Sequence, residues 1–83
     1  YAQPLIFSVE VALAHYWQSL GIIPDIMIGH SIGEYAAAFM SGVMSLQDAV
    51  YMVAARAEIM DHTPAQGRMV GVLANEAKVR ELI

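Results

Sequence analysis

The chain is 83 residues long, 58% hydrophobic and only 14% charged, with no cysteine and a formal net charge of −4. Its four basic residues, Arg56, Arg68, Lys78 and Arg80, are scattered. They form no basic patch to hold a phosphate backbone, which argues against nucleic-acid binding, and the lack of cysteine excludes a disulfide framework and thiol catalysis. Glu10, His15, Asp25, Glu34 and Asp48 break the apolar stretches before any reaches the ~18 residues of a membrane span, and Tyr1 opens inside an apolar pattern without the basic region or cleavage site of a secretory leader. Such a length allows one small core but is short for a complete α/β enzyme domain. So apolar a chain would leave much surface without a cover, as expected of a fragment of a larger domain.

From Ala2 to Leu20, apolar residues such as Leu5, Val9, Leu13, Tyr16 and Leu20 recur at spacings of three and four, which predicts a helix. Pro4 falls in its first turn, where a missing N–H costs nothing, and Gly21 ends it as a C′ glycine. Ile22-Ile23-Pro24-Asp25 is a connector. The unbroken apolar run Ile26 to Ile28 predicts a strand covered on both faces, as in a parallel sheet. A second helix is expected from about Ile32 to Ser41, closed at Gly42. The third has Ser45 as N-cap with Asp48 three residues on, and runs through Val50, Val53, Ala57 and Met60 to about Asp61. A turn at 63–67, a second strand from Arg68 to Leu73, and a helix capped by Asn75 and covering Glu76 to Ile83 complete the series.

Between the first strand and the second helix lies Gly29-His30-Ser31-Ile32-Gly33. Strand, sharp turn and helix is the layout of a nucleophile elbow, in which a serine at the tip is exposed and the following N–H groups sit at a helix N-terminus. Gly29 and Gly33 suit such a turn, because side chains there would collide where strand and helix cross. Ser31 is thus the candidate nucleophile; a serine that merely caps the helix is the alternative. Serine needs a base, yet His30 is adjacent on a tight turn and points elsewhere, so it is expected to line the pocket or to bond locally. His15 and His62 read as surface positions, and no histidine or carboxylate grouping has metal-ligand spacing.

Arg56 is flanked three and four residues away by Met52, Val53, Ile59 and Met60. A guanidinium in that apolar setting is costly to bury without an anion. Either it pairs with a protein carboxylate such as Glu34, or it holds a substrate carboxylate through a bidentate fork, or it snorkels at the helix rim. Gln3 could place a polar group at the pocket or be an exposed residue before a helix.

Gly29-His30-Ser31-Ile32-Gly33-Glu34, with Ala2-Gln3-Pro4 upstream and Arg56-Ala57-Glu58-Ile59-Met60 and Gly67-Arg68-Met69 downstream, resembles the malonyl-CoA:acyl-carrier-protein transacylase family. Within it, the chain is most similar to the acyltransferase domains of modular polyketide synthases, over all 83 residues. The resemblance implies that Ser31 takes the acyl group from coenzyme A as an ester and passes it to the phosphopantetheine thiol of an acyl carrier protein. It further implies that the Ile32 N–H contributes to the oxyanion hole, that Arg56 pairs with the free carboxylate of a malonyl group, and that Gln3 lies near the site. A hydrophobic residue after the serine points toward malonyl selectivity. By the same resemblance, the catalytic histidine and the stronger selectivity motif lie beyond residue 83, and a further oxyanion glutamine lies before residue 1.

The expected fold class is therefore α/β: residues 1–66 form the middle of a large hydrolase-like subdomain with a nucleophile elbow, and residues 67–83 open a small ferredoxin-like subdomain. The expected function is ping-pong acyl transfer within a polyketide or fatty-acid synthase. Its partners would be malonyl-CoA, a carrier protein and neighbouring synthase domains, without nucleic acid, membrane, metal or bound cofactor, in a cytoplasmic setting. The fragment alone is expected to be inactive for want of the histidine. The alternatives are a serine hydrolase or esterase sharing the elbow, and a non-catalytic remnant.

Overall fold

The computed structural model of the chain describes residues 2–64 and 66–83. It contains four helices, α1 (Ala2–Ser19), α2 (Gly33–Met40), α3 (Leu46–His62) and α4 (Glu76–Arg80). The first three pack on one another in every pairing, whereas α4 packs on none of them.

Each helix forms where the local signals direct. Pro4 occupies the first turn of α1. At the other end, the Gly21 N–H donates to the Gln18 carbonyl and the Ile22 N–H to the Trp17 carbonyl, with Gly21 at φ 83°. These two bonds satisfy carbonyls that the helix leaves over. The same device closes α2, where Gly42 at φ 84° precedes Val43 and their N–H groups return to Phe39 and Ala38. The Ser45 hydroxyl caps α3 by accepting from the Asp48 N–H at 3.0 Å, and Asn75 caps α4 through the Lys78 N–H at 3.0 Å. Compared with the expected extent to Ile83, α4 stops at Arg80, supported by exposed Glu76–Arg80 and Lys78–Glu81 pairs of the kind that contribute only a few tenths of a kcal/mol each.

The buried core is small: Phe7 from α1, Ile32 and Ala36 at the start of α2, Ala49 and Val53 from α3. Residues 32 and 36, and again 49 and 53, are one turn apart and so share a helix face. Partly buried Val11, Tyr35, Phe39 and Met44 surround this cluster.

The two expected strands are not present among the described residues, whose regular structure is entirely helical. A strand exists by virtue of a hydrogen-bonded neighbour. The runs at 26–28 and 68–73 have none, neither each other nor a third strand. Ile26 and Ile28, expected to be covered on both faces, are 87% and 92% exposed. The α/β class is therefore corrected to an all-helical arrangement with irregular connectors for the described residues. Within the expected turn at 63–67, Ala65 lies outside the described residues, as does Tyr1.

With a radius of gyration of 16.0 Å, against about 12 Å for a compact domain of this length, the chain is extended. Trp17, Ile22, Ile23, Val43, Met69 and Leu73 are among the large apolar residues more than half exposed. Five buried side chains cannot offset the ordering entropy of 83 residues. The isolated chain is accordingly expected to melt without cooperativity in calorimetry. A sharp transition with an enthalpy near the ~0.7 kcal/mol per residue of globular domains would contradict this.

Candidate functional site

Three elements bring three polar side chains together. Gln3 stands in the first turn of α1, Ser31 on the turn before α2, and Arg56 past the middle of α3. The Arg56 Nη1 donates to Gln3 Oε1 and its Nη2 to Ser31 Oγ at 3.1 Å. The guanidinium carbon also lies 5.8 Å from the centre of the Tyr35 ring. Arg56 and Gln3 are half-buried and Ser31 is exposed.

Arg56 has no carboxylate partner. Among the described residues the ion pairs are confined to α4 and its end, so the possible pairing with Glu34 is not made. Nor does the side chain snorkel free of contacts, since it spans two other elements. A partly buried cation satisfied by a neutral amide and a hydroxyl retains an unmet preference for an anion.

The Ser31 backbone is at φ 55°, the one non-glycine residue in the left-handed region among those described. Such a conformation costs of order 1–3 kcal/mol and persists where surrounding structure imposes it. Ser31 does not act as a helix cap: Ile32 occupies the N-cap position of α2, without a side-chain capping bond. N–H groups of Gly33, Glu34 and Tyr35 turn back to the carbonyls of His30, Ser31 and Ile32. The Ile32 N–H joins no backbone bond of this turn, while its side chain is anchored in the core at 6% exposure.

The two glycines differ. A Cβ on Gly29 would collide with the backbone of Gly33 and Glu34, so the chain there crosses the start of α2 too closely for any other residue. At Gly33 the nearest neighbour would be Glu10 Oε1 at 3.6 Å, an ordinary contact. The steric demand expected at both positions is thus confined to Gly29.

His30 is exposed and does not join the Gln3–Arg56–Ser31 group. It lines a separate open cavity of about 920 Å³ with Glu10, Trp17, Met27 and Gly33. His15 meets Phe39 edge-on at 5.9 Å and His62 bonds the Glu58 carbonyl at 2.8 Å; neither approaches Ser31. No metal-binding group of histidines and carboxylates occurs among the described residues, and no described helix is long and apolar enough to cross a membrane.

Glu10 escaped the sequence reading, which took it only as a charge interrupting an apolar stretch. Its Oε2 is withdrawn from solvent without a partner. The signal was its spacing, three residues after buried Phe7 and four before half-buried Ala14, which puts a carboxylate on the inward face of α1.

The family described as "Acyl transferase domain" matches residues 1–82. The chain is 48% identical over all 83 residues to polyketide synthase GfsA of Streptomyces halstedii. It is 51% identical over all 83 to mycoketide-CoA synthase of Mycobacterium tuberculosis, and 43% identical over 79, or 95% of the chain, to erythronolide synthase EryA2 of Saccharopolyspora erythraea. It spans only 1%, 2% and 2% of those proteins respectively. No solved structure matches it significantly.

The glycine asymmetry can be measured in the intact parent domain. Gly29→Ala is expected to cost at least the ~1–3 kcal/mol typical of overpacking in denaturant melts, because only backbone could give way. Gly33→Ala is expected to cost less, and equal losses would refute the distinction.

Proposed function

The chain belongs to the acyl transferase domain family, and from that membership we propose that it carries the nucleophile and the acyl-carboxylate clamp of a malonyl-type acyltransferase in a polyketide or fatty-acid synthase. The observation that supports this most is the Arg56 guanidinium, which has no carboxylate partner among the described residues and whose Nη2 lies 3.1 Å from Ser31 Oγ. A hydrolase of neutral esters has no use for a cation there. A transferase of dicarboxylic acyl groups needs one within reach of the ester carbon.

In this reading Ser31 Oγ attacks the thioester carbonyl of malonyl-CoA, and its proton passes to a base outside the groups described here. Negative charge developing on the carbonyl oxygen meets the Ile32 N–H at the start of α2. The carbon–sulfur bond then breaks, and coenzyme A leaves as the thiol after taking up the proton. A phosphopantetheine thiol on an acyl carrier protein attacks the serine ester by the reverse sequence. Arg56 exchanges its bond to Ser31 for the malonyl carboxylate, while Gln3 keeps the guanidinium aimed. The apolar Ile32 following the serine suits a malonyl rather than a bulkier acyl group.

In the complete domain the exposed run 26–28 pairs with strands from other segments, so that residues 29–33 become the elbow of a hydrolase-like α/β fold, and residues 67–83 open a ferredoxin-like subdomain. The left-handed Ser31 and the close crossing at Gly29 support that arrangement. The parent is a cytoplasmic multidomain synthase whose neighbouring domains use the transferred unit.

The test is intact mass spectrometry of the complete parent domain incubated with malonyl-CoA. Wild type is expected to gain one malonyl group and Ser31→Ala none. Arg56→Ala is expected to acylate roughly ten- to a hundredfold more slowly, the scale of losing charge-assisted hydrogen bonds. An unmodified wild type, or an adduct indifferent to Arg56, would overturn the proposal.

A further inference from the structure

Resting on the reading just given, we propose that Tyr35 is a positioning residue that sets the preference for carboxylate-bearing acyl groups by holding Arg56 in place. Tyr35 follows Ser31 by four residues, in the first turn of α2, and Arg56 reaches toward it from α3. Its ring is half-buried against the Phe7–Ile32–Ala36–Ala49–Val53 cluster, so its position is set by packing. The guanidinium carbon is 5.8 Å from the ring centre, within the range of a cation–π attraction.

The three contacts of Arg56 are not equivalent. Those to Gln3 and Ser31 are hydrogen bonds, and they engage two of the five guanidinium N–H donors, leaving three for an incoming carboxylate. In the reaction proposed above, the bond to Ser31 is exchanged for that carboxylate. The ring spends no donor on a competing acceptor, so it restrains the guanidinium before and after the exchange. An unrestrained arginine side chain has many rotamers to lose on binding. Restricting it beforehand favours binding of the carboxylate in particular, and a neutral acyl group gains nothing from it.

The inference is tested in the complete parent domain by transfer kinetics with malonyl-CoA and with acetyl-CoA, which lacks the carboxylate. Tyr35→Leu is expected to lower the malonyl-to-acetyl ratio of kcat/KM about three- to tenfold, the scale of a cation–π contact, chiefly through the KM for malonyl-CoA. Tyr35→Phe keeps the ring and is expected to restore the ratio. In an Arg56→Ala background, Tyr35→Leu is expected to leave the ratio where Arg56→Ala put it. Equal losses with both substrates would mean general structural damage and overturn the inference, as would a phenylalanine variant as impaired as leucine. A ratio that falls with Arg56→Ala but not with Tyr35→Leu overturns the inference alone. One that moves with neither variant overturns the clamp itself, and the inference with it.

Discussion

One guanidinium ties the site together. Arg56 is the point at which α1, the turn before α2, and α3 meet through polar contact, by way of Gln3, Ser31 and Tyr35. The apolar packing that joins these helices centres on five buried side chains, with Val11, Tyr35, Phe39 and Met44 around them. The energetic consequence is unusual for a structural cross-link. A cation held by neutral acceptors is less satisfied than one paired with an anion, so the link that organises the site also leaves it poised for an anionic ligand.

That poise depends on where the backbone places Ser31. Gly29 passes so close to Gly33 and Glu34 that no side chain fits, and two residues later Ser31 takes a left-handed conformation. The close crossing and the left-handed residue belong to the same sharp reversal. Ile32 then goes into the core and fixes the start of α2. Hydroxyl and guanidinium are thereby brought within hydrogen-bonding distance by a buried side chain, a glycine and a neighbouring helix.

The surface has a related meaning. Exposed Ile26, Ile28, Met69 and Leu73, the extended shape, and the inward carboxylate of Glu10 with one oxygen lacking a partner all mark places where packing within 83 residues is unfinished. The curated relatives are far longer, and the chain spans only 1% or 2% of them.

What the sequence by itself determined was whatever depends on neighbours along the chain. Helix ends at Gly21 and Gly42 and caps at Ser45 and Asn75 follow from local signals and from hydrogen bonds three to five residues apart. Ser31 and Arg56 were marked as candidates for a similar reason, one by a local turn pattern and the other by its misfit with apolar neighbours. Tertiary structure alone decided what Arg56 bonds, because its three partners are 21 to 53 residues away and spacing left carboxylate pairing, substrate pairing and snorkelling open. Only the packing, too, separated Gly29, which must be glycine, from Gly33. The strands expected at 26–28 and 68–73 show the limit from the other side. An apolar run states a preference for being covered, but a strand needs a hydrogen-bonding partner, and no local pattern can supply one.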